Sequence, residues 1–126
     1  MIQQQTIVNV LDNSGAKKAK CIKVLGGYKK KKSFLGDTIV VSIKELRNKS
    51  KKTSKVKKGE VYKALILKTK SKQFNRDGSL SFFGSNCVCL INKQNKPIGS
   101  RILDPVSRTL KKKKYTKIFN ISTGIL

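Results

Sequence analysis

Histidine and tryptophan are both missing from the 126 residues, and cysteine occurs only three times. Without histidine the chain lacks the side chain most often used for acid–base catalysis near neutral pH and the commonest metal ligand. Cys21, Cys87 and Cys89 have no metal-type spacing, and three thiols cannot fill a tetrahedral zinc site alone. They read as small buried apolar residues, with a reducing compartment as a weak corollary. Acids are nearly as scarce, six in all. Asp12, Asp37, Glu60, Asp77 and Asp104 lie within three residues of a Gly or Pro, which marks turn formers and caps, and only Glu45 falls outside that pattern. No catalytic constellation can be assembled from them, and Gly26-Gly27 does not open a phosphate-loop helix. No run approaches the roughly 18 apolar residues that a membrane span requires. The opening Met1-Ile2-Gln3-Gln4-Gln5 has neither the basic and apolar regions of a secretory signal nor the arginine of a transit peptide.

What is present in excess is positive charge. Thirty Lys and Arg leave a net +24 and a pI near 10.3. Such an imbalance repels itself in the compact state and demands a standing anionic partner. The cations are clustered. Lys29-Lys30-Lys31-Lys32 follows Gly26-Gly27; Arg47, Lys49, Lys51, Lys52, Lys55, Lys57 and Lys58 fill one segment; Lys70, Lys72 and Arg76 precede Asp77-Gly78; Lys111 to Lys114 form a run near the end. All four clusters fall between or beyond the apolar segments. A single run of this kind is usually a solvated loop, but four without compensating acids point to phosphate.

Apolar alternation, not helical periodicity, dominates the first ninety residues. It predicts strands over Thr6–Val10, Lys20–Leu25, Thr38–Leu46, Val61–Thr69 and Cys87–Ile91, with a short one over Leu80–Phe83. Leu65-Ile66-Leu67 suggests burial on both faces. Short strands at this spacing indicate a mainly β protein, a sandwich or barrel, and closure into a barrel would remove bare edges. Asp104-Pro105 is a helix-start signal that predicts a helix over Pro105 to about Lys113, with its lysines at the C-terminal end. Tyr115–Ile121 fits either a further helical turn or a strand. One domain is expected over 1–126, its helical part covering about 104–120. Phe82 and Phe83 are adjacent in a strand, so they point to opposite faces and at least one should be core. No recognition helix or aromatic ladder for base readout is visible, and folded RNA read by shape and phosphate fits best.

Further patterns carry a resemblance. They include Asp12-Asn13-Ser14-Gly15-Ala16, Cys21-Ile22-Lys23-Val24-Leu25-Gly26-Gly27, Val56-Lys57-Lys58-Gly59-Glu60-Val61, Arg76-Asp77-Gly78-Ser79, Pro97-Ile98-Gly99-Ser100-Arg101-Ile102 and Pro105-Val106-Ser107-Arg108. With Ala64-Leu65-Ile66-Leu67, Phe83, Asn86 and Cys89-Leu90, the chain resembles, nearly end to end, the universal large-subunit ribosomal protein family number fourteen in its bacterial form. Cys89 stands where the family usually has Val. The resemblance implies a small five-stranded β-barrel with a short C-terminal helical segment, no enzymatic activity and no cofactor. It implies a structural constituent of the large ribosomal subunit that binds large-subunit rRNA, touches neighbouring ribosomal proteins and meets small-subunit rRNA at an inter-subunit contact. It also implies a docking surface for a ribosome-silencing factor.

On this reading the rRNA-binding residues are Lys17, Lys18, Lys29, Lys30, Lys31, Lys32, Arg47, Lys49, Lys51, Lys52, Lys55, Lys57, Lys58, Lys70, Lys72, Arg76 and Arg101. Arg108, Lys111, Lys112, Lys113 and Lys114 are the inter-subunit or protein contacts. Two departures concern loops: Arg47–Lys55 is about four residues longer than the bacterial pattern and Asn92–Lys96 about one shorter, changes that closure entropy tolerates. The Lys111–Lys117 region is also more basic than usual. Only four of the thirty basic residues are arginine. That bias, with many Asn and Ile, points to an AT-rich coding genome. With no presequence evident, an organelle-encoded gene and the mitochondrial matrix come first; a plastid or bacterial cytoplasm is also compatible. The rival readings are a free single-strand-binding barrel, which would need an exposed aromatic platform, a cationic membrane-surface protein, which would need a long amphipathic helix, and a small nuclease, which would need acid–base residues.

Overall fold

Apolar alternation, carried by Val and Ile on the first and third strands and by smaller residues on the second, makes extended segments here, and five of these segments close on one another. The computed structural model describes residues 1–48, 52–113 and 115–126. The strands are β1 (Ile7–Val10), β2 (Ala16–Val24), β3 (Thr38–Leu46), β4 (Val61–Lys68), β5 (Gln73–Phe74), β6 (Leu80–Ser81) and β7 (Cys87–Ile91). The order β1-β2-β3-β4-β7 forms a closed barrel, sealed by a parallel pairing of Asn9 and Val10 with Cys87 and Val88. The other barrel pairings are antiparallel.

A five-stranded barrel is narrow, and its interior is filled accordingly. Val8, Val10, Ile39, Val41, Ile43, Ile66, Val88 and Leu90 point inward, and β2 contributes the small Ala16, Ala19 and Cys21. β2 also carries three register shifts against β3, which bend and coil it around the barrel. Leu65 and Leu67 face outward with Cys89 and Ile91, into a second cluster with Leu35, Ile102, Val106, Leu110 and Ile118. β4 and β7 are therefore buried on both faces, as the Leu65-Ile66-Leu67 triplet predicts. All three cysteines are buried, in keeping with their reading as apolar filler.

The outer layer comes from the C-terminal segment, which is less helical than predicted. A 3₁₀ helix covers Arg108–Lys113 and an α-helix, α1, covers Thr116–Asn120. Residues 104–107 are not helical. Asp104 does not cap a helix: its Oδ2 accepts from Lys68 Nζ at 3.0 Å. Val106 is extended, bridged to Ile125, with its N–H donating to Gly124 O at 3.0 Å. Long-range pairing overrides the Asp-Pro start signal. Ser107 takes up the capping position instead, its Oγ accepting from Thr109 N at 3.4 Å. The ambiguous Tyr115–Ile121 stretch resolves as α1, which buries Ile118.

Two strand expectations are also corrected. β2 begins at Ala16, four residues before the predicted Lys20. The segment around Leu80 does not join the barrel; β6 pairs only with β5 in a separate two-stranded hairpin, Phe74 opposite Leu80.

Candidate nucleic-acid interface

The six acids account for themselves first, because any acid left over would neutralise the basic field. Asp12 is buried; it accepts from Leu90 N–H at 2.8 Å, from Ser14 N–H at 3.1 Å and from the Ser14 hydroxyl. Asp37 accepts from Phe34 N–H and from Lys30 Nζ, both at 2.9 Å. Glu60 accepts from Lys57 N–H at 3.0 Å and from the Tyr62 hydroxyl at 2.5 Å, which holds its carboxyl below the usual range and pushes the Tyr62 phenol up to about 12. Asp77 closes its own turn onto Ser79, and Asp104 pairs with Lys68. Glu45 lies 4.0 and 3.6 Å from Lys17 and Lys18. Among residues with described side chains, only Lys17, Lys18, Lys30 and Lys68 have a carboxylate within ion-pair distance. The field is therefore almost uncompensated.

The first basic loop joins β2 to β3. Gly26 opens it at φ +95°, a left-handed conformation that glycine adopts without strain. Its far end is pinned by reciprocal hydrogen bonds between Ile2 and Ser33, at 3.0 and 2.9 Å. The Lys30–Asp37 ion pair fixes the middle. Lys29, Lys31 and Lys32 are exposed. Together with Gln3, Gln4, Lys23, Val24 and Tyr28 the loop lines a cleft of about 730 Å³. Tyr28 is 91% exposed, and Lys29 Nζ lies 5.3 Å from its ring centroid.

The second loop, between β3 and β4, is anchored on the Asp12–Gly15 turn. Arg47 N–H donates to Gly15 O at 2.9 Å, its guanidinium Nη2 to Val10 O at 3.2 Å, and Lys55 N–H to Ser14 O at 3.0 Å. Arg47 is thus half-buried and part of the scaffold, whereas Lys52, Lys55, Lys57 and Lys58 are exposed. Lys49 and Lys51 lie outside the described residues, as does Lys114.

The third cluster flanks the β5–β6 hairpin. Lys70, Lys72 and Arg76 are exposed, and Lys70 N–H is held by Asn86 Oδ1 at 2.9 Å. Phe82 is exposed while Phe83 packs on the second apolar cluster, with Lys68 Nζ 5.6 Å above its ring. The expectation of a strand reaching Phe83 with one of the pair in the core is corrected: β6 ends at Ser81, and Phe83 is partly buried against the cluster rather than part of it. Arg101 is exposed beside the Asp12–Gly15 turn, its N–H bonded to Asn13 Oδ1 at 3.2 Å. Arg108 is exposed at the start of the 3₁₀ helix that contains Lys111, Lys112 and Lys113.

Several cations escape a reading that looks only between strands. Lys23, Lys44 and Lys63 are exposed on β2, β3 and β4, with Lys20 half-exposed beside them. They occupy the outward alternate positions, so strand periodicity could have found them. Tyr28, Gln3 and Gln4 had no such signal. Among the described residues no group of His, Cys, Asp or Glu could hold a metal ion, and no helix is long and apolar enough to cross a membrane.

A pinned barrel with an uncompensated basic surface suits a protein held permanently against RNA. Comparison with protein families gives the same answer independently: residues 1–126 match ribosomal protein L14p/L23e. The chain belongs to this family and is a structural, non-enzymatic constituent of the large ribosomal subunit that binds rRNA.

Proposed function

We propose that residues 1–126 act as one rRNA-binding domain whose cationic loops grip large-subunit rRNA through its phosphates. The contacting residues are the members of the first three clusters, with Lys17, Lys18 and Arg101 beside them. The single observation behind this reading is the lack of carboxylate partners for nearly every described cation outside the barrel. Lys30 and Arg47 act partly by shaping their loops, since each has an internal partner.

Counterion release sets the test. If about ten phosphates are neutralised, the log–log salt slope on duplex rRNA should lie near −9. Filter binding of the full chain to large-subunit rRNA measures it, and a slope near zero would sink the reading. Because rRNA would bind only the folded chain, adding it should raise the melting temperature.

The C-terminal run supports a second contact. Arg108 and Lys111–Lys114 form the inter-subunit or protein contact, reaching small-subunit rRNA at the subunit interface during translation and offering a face to a ribosome-silencing factor. Charge reversal at Arg108 should then weaken subunit joining while leaving large-subunit assembly intact. The basic segment Arg47–Lys55 meets altered rRNA or a compartment-specific partner; unchanged subunit incorporation after deletion of Lys49–Lys52 would count against that. The lysine bias fits an AT-rich coding genome; the mitochondrial matrix is the reading put first, with a plastid or bacterial ribosome compatible, and cell and organelle fractionation would decide.

A further inference from the structure

The cleft beside Tyr28 has features that phosphate gripping alone does not require. Its tyrosine is 91% exposed, the most exposed of the large hydrophobic side chains among the described residues. The neighbouring Lys29 holds a left-handed backbone conformation, φ +52°, uncommon outside glycine and often found where structure serves binding. Its ammonium lies 5.3 Å from the Tyr28 ring centroid. The loop is pinned by Ile2–Ser33 and Lys30–Asp37, so the ring is presented on a preformed support. Around it, Lys23, Lys31 and Lys32 make no ion pair, and the carboxamides of Gln3 and Gln4 make no hydrogen bond among the described residues. The cleft is open to solvent along one side, which suits one unit of a longer chain better than an enclosed small molecule.

We propose that this cleft receives one unpaired nucleotide of RNA, its base stacked on Tyr28, its phosphates held by Lys23, Lys31 and Lys32, and its base edge met by Gln3 and Gln4. The proposal rests on the rRNA-binding reading above and deepens it. A duplex alone offers no base face to the ring, whereas bulges and loops splay bases out for aromatic stacking. Stacking on one aromatic side chain multiplies affinity by a factor of about five to 160 and tolerates any base. An acidic peptide would satisfy the lysines but would leave the exposed ring and the two carboxamides without a role.

The test uses the full chain and three RNAs: a duplex, the same duplex with one bulged 2-aminopurine, and the same bulge made abasic. The wild type should prefer the bulged base to the abasic bulge at least about fivefold and should quench 2-aminopurine fluorescence. Tyr28→Ala should abolish both effects while binding the plain duplex unchanged, and Tyr28→Phe should keep them. Lys31→Gln with Lys32→Gln should weaken binding to all three RNAs and flatten the salt slope by about two. Equal wild-type affinity for the bulged and abasic RNAs, still falling steeply with salt, would overturn the cleft proposal and leave the phosphate reading standing. Salt-independent binding to all three would defeat the phosphate reading itself. Displacement of RNA by a glutamate-rich peptide, equal for wild type and Tyr28→Ala and without base preference, would assign the cleft to acidic protein side chains and overturn the proposal too.

Discussion

Replacing Asp12 with alanine should destabilise the barrel by about 2–4 kcal/mol, because the carboxylate ties three parts of the structure together. Its Oδ2 accepts from Leu90 N–H on the adjoining β7, at 2.8 Å, and its Oδ1 holds the Ser14 turn. In Asp12→Ala the N–H groups of Ser14 and Leu90 lose their acceptor in a buried setting, at roughly 1–3 kcal/mol each. Removing a buried carboxylate offsets part of that loss. Burial outweighs the hydrogen bonds from Ser14 and Leu90 and the nearby Arg47, and lifts the Asp12 carboxyl above its ordinary value of 3.8. For a chain of this size the net cost corresponds to a fall in Tm of roughly 8–15 °C, read by far-UV circular dichroism. The sign of the pH dependence follows from the raised value. The folded state holds the proton more tightly than the unfolded chain, so the stability linked to this proton is full below about 3.8 and lost as pH rises through the higher folded value. The gap between wild type and Asp12→Ala should therefore widen on acidification from neutral pH towards 4. Asp12→Asn keeps an acceptor for Ser14 but turns an NH₂ towards Leu90 N–H, so it should lie between the two. A loss under about 0.5 kcal/mol, or a gap that narrows on acidification, would refute this reasoning.

Three further substitutions probe the layers around that strut. Leu110→Ala should cost about 2–5 kcal/mol in denaturant unfolding, because Leu110 is fully buried between the C-terminal segment and the outer face of β4 and β7; a near-neutral result would mean that the segment only rests on the barrel. Gly99→Ala would place a Cβ 2.8 Å from both Asp12 Cβ and Asn13 Oδ1, and a loss of about 1–3 kcal/mol should appear as a lower denaturation midpoint with an unchanged slope. Asp104→Ala strands Lys68, whose side chain is 11% exposed, but Asp104 itself is 47% exposed, so the loss should be only about 1–2 kcal/mol. Adding Lys68→Met should recover most of that loss in a double-mutant cycle, and no recovery would mean that the pair is uncoupled.

Alternation made the barrel legible wherever large β-branched residues line one face. Ile39, Val41 and Ile43 mark β3 with its observed bounds, and Leu65-Ile66-Leu67 announces two-sided burial. The start of β2 was hidden because its inward residues there are Ala16 and Ala19, which give little hydrophobic contrast against Lys17 and Lys18. The helix start at Asp104 failed for a different reason. Its competing partner, Lys68, is 36 residues away in sequence, and no local pattern can announce it. At the interface, sequence located the cationic clusters but not which members are tied inward, since Lys30 and Arg47 look no different from their neighbours. Tyr28 carried no signal either, being one aromatic residue inside a glycine and lysine loop.

The placement of the acids explains how so positive a chain can hold defined loops at all. Asp12 fastens the turn on which the Arg47–Lys58 segment is anchored, and Asp37 grips the Lys29–Lys32 loop. Glu60 ties the Lys57 end of the second segment, and Asp77 closes the hairpin behind Arg76. Asp12, Asp37 and Glu60 therefore sit at the base of a cationic loop, accepting backbone hydrogen bonds that set its shape, and of these three only Asp37 also has a lysine, Lys30, within ion-pair distance among the described side chains. Neutralising acids at the loop tips would relieve self-repulsion, but it would also remove the charge that phosphate recognises. Acids at the loop bases keep the field outward and order the backbone before RNA arrives. That ordering lowers the conformational cost of binding, which is one of the main charges against affinity in any interface. It also separates two kinds of loss. Changing an exposed lysine such as Lys58 should reduce the salt slope by about one and leave folding intact, whereas changing an acid such as Asp37 should loosen a whole loop and weaken RNA binding without removing any cation.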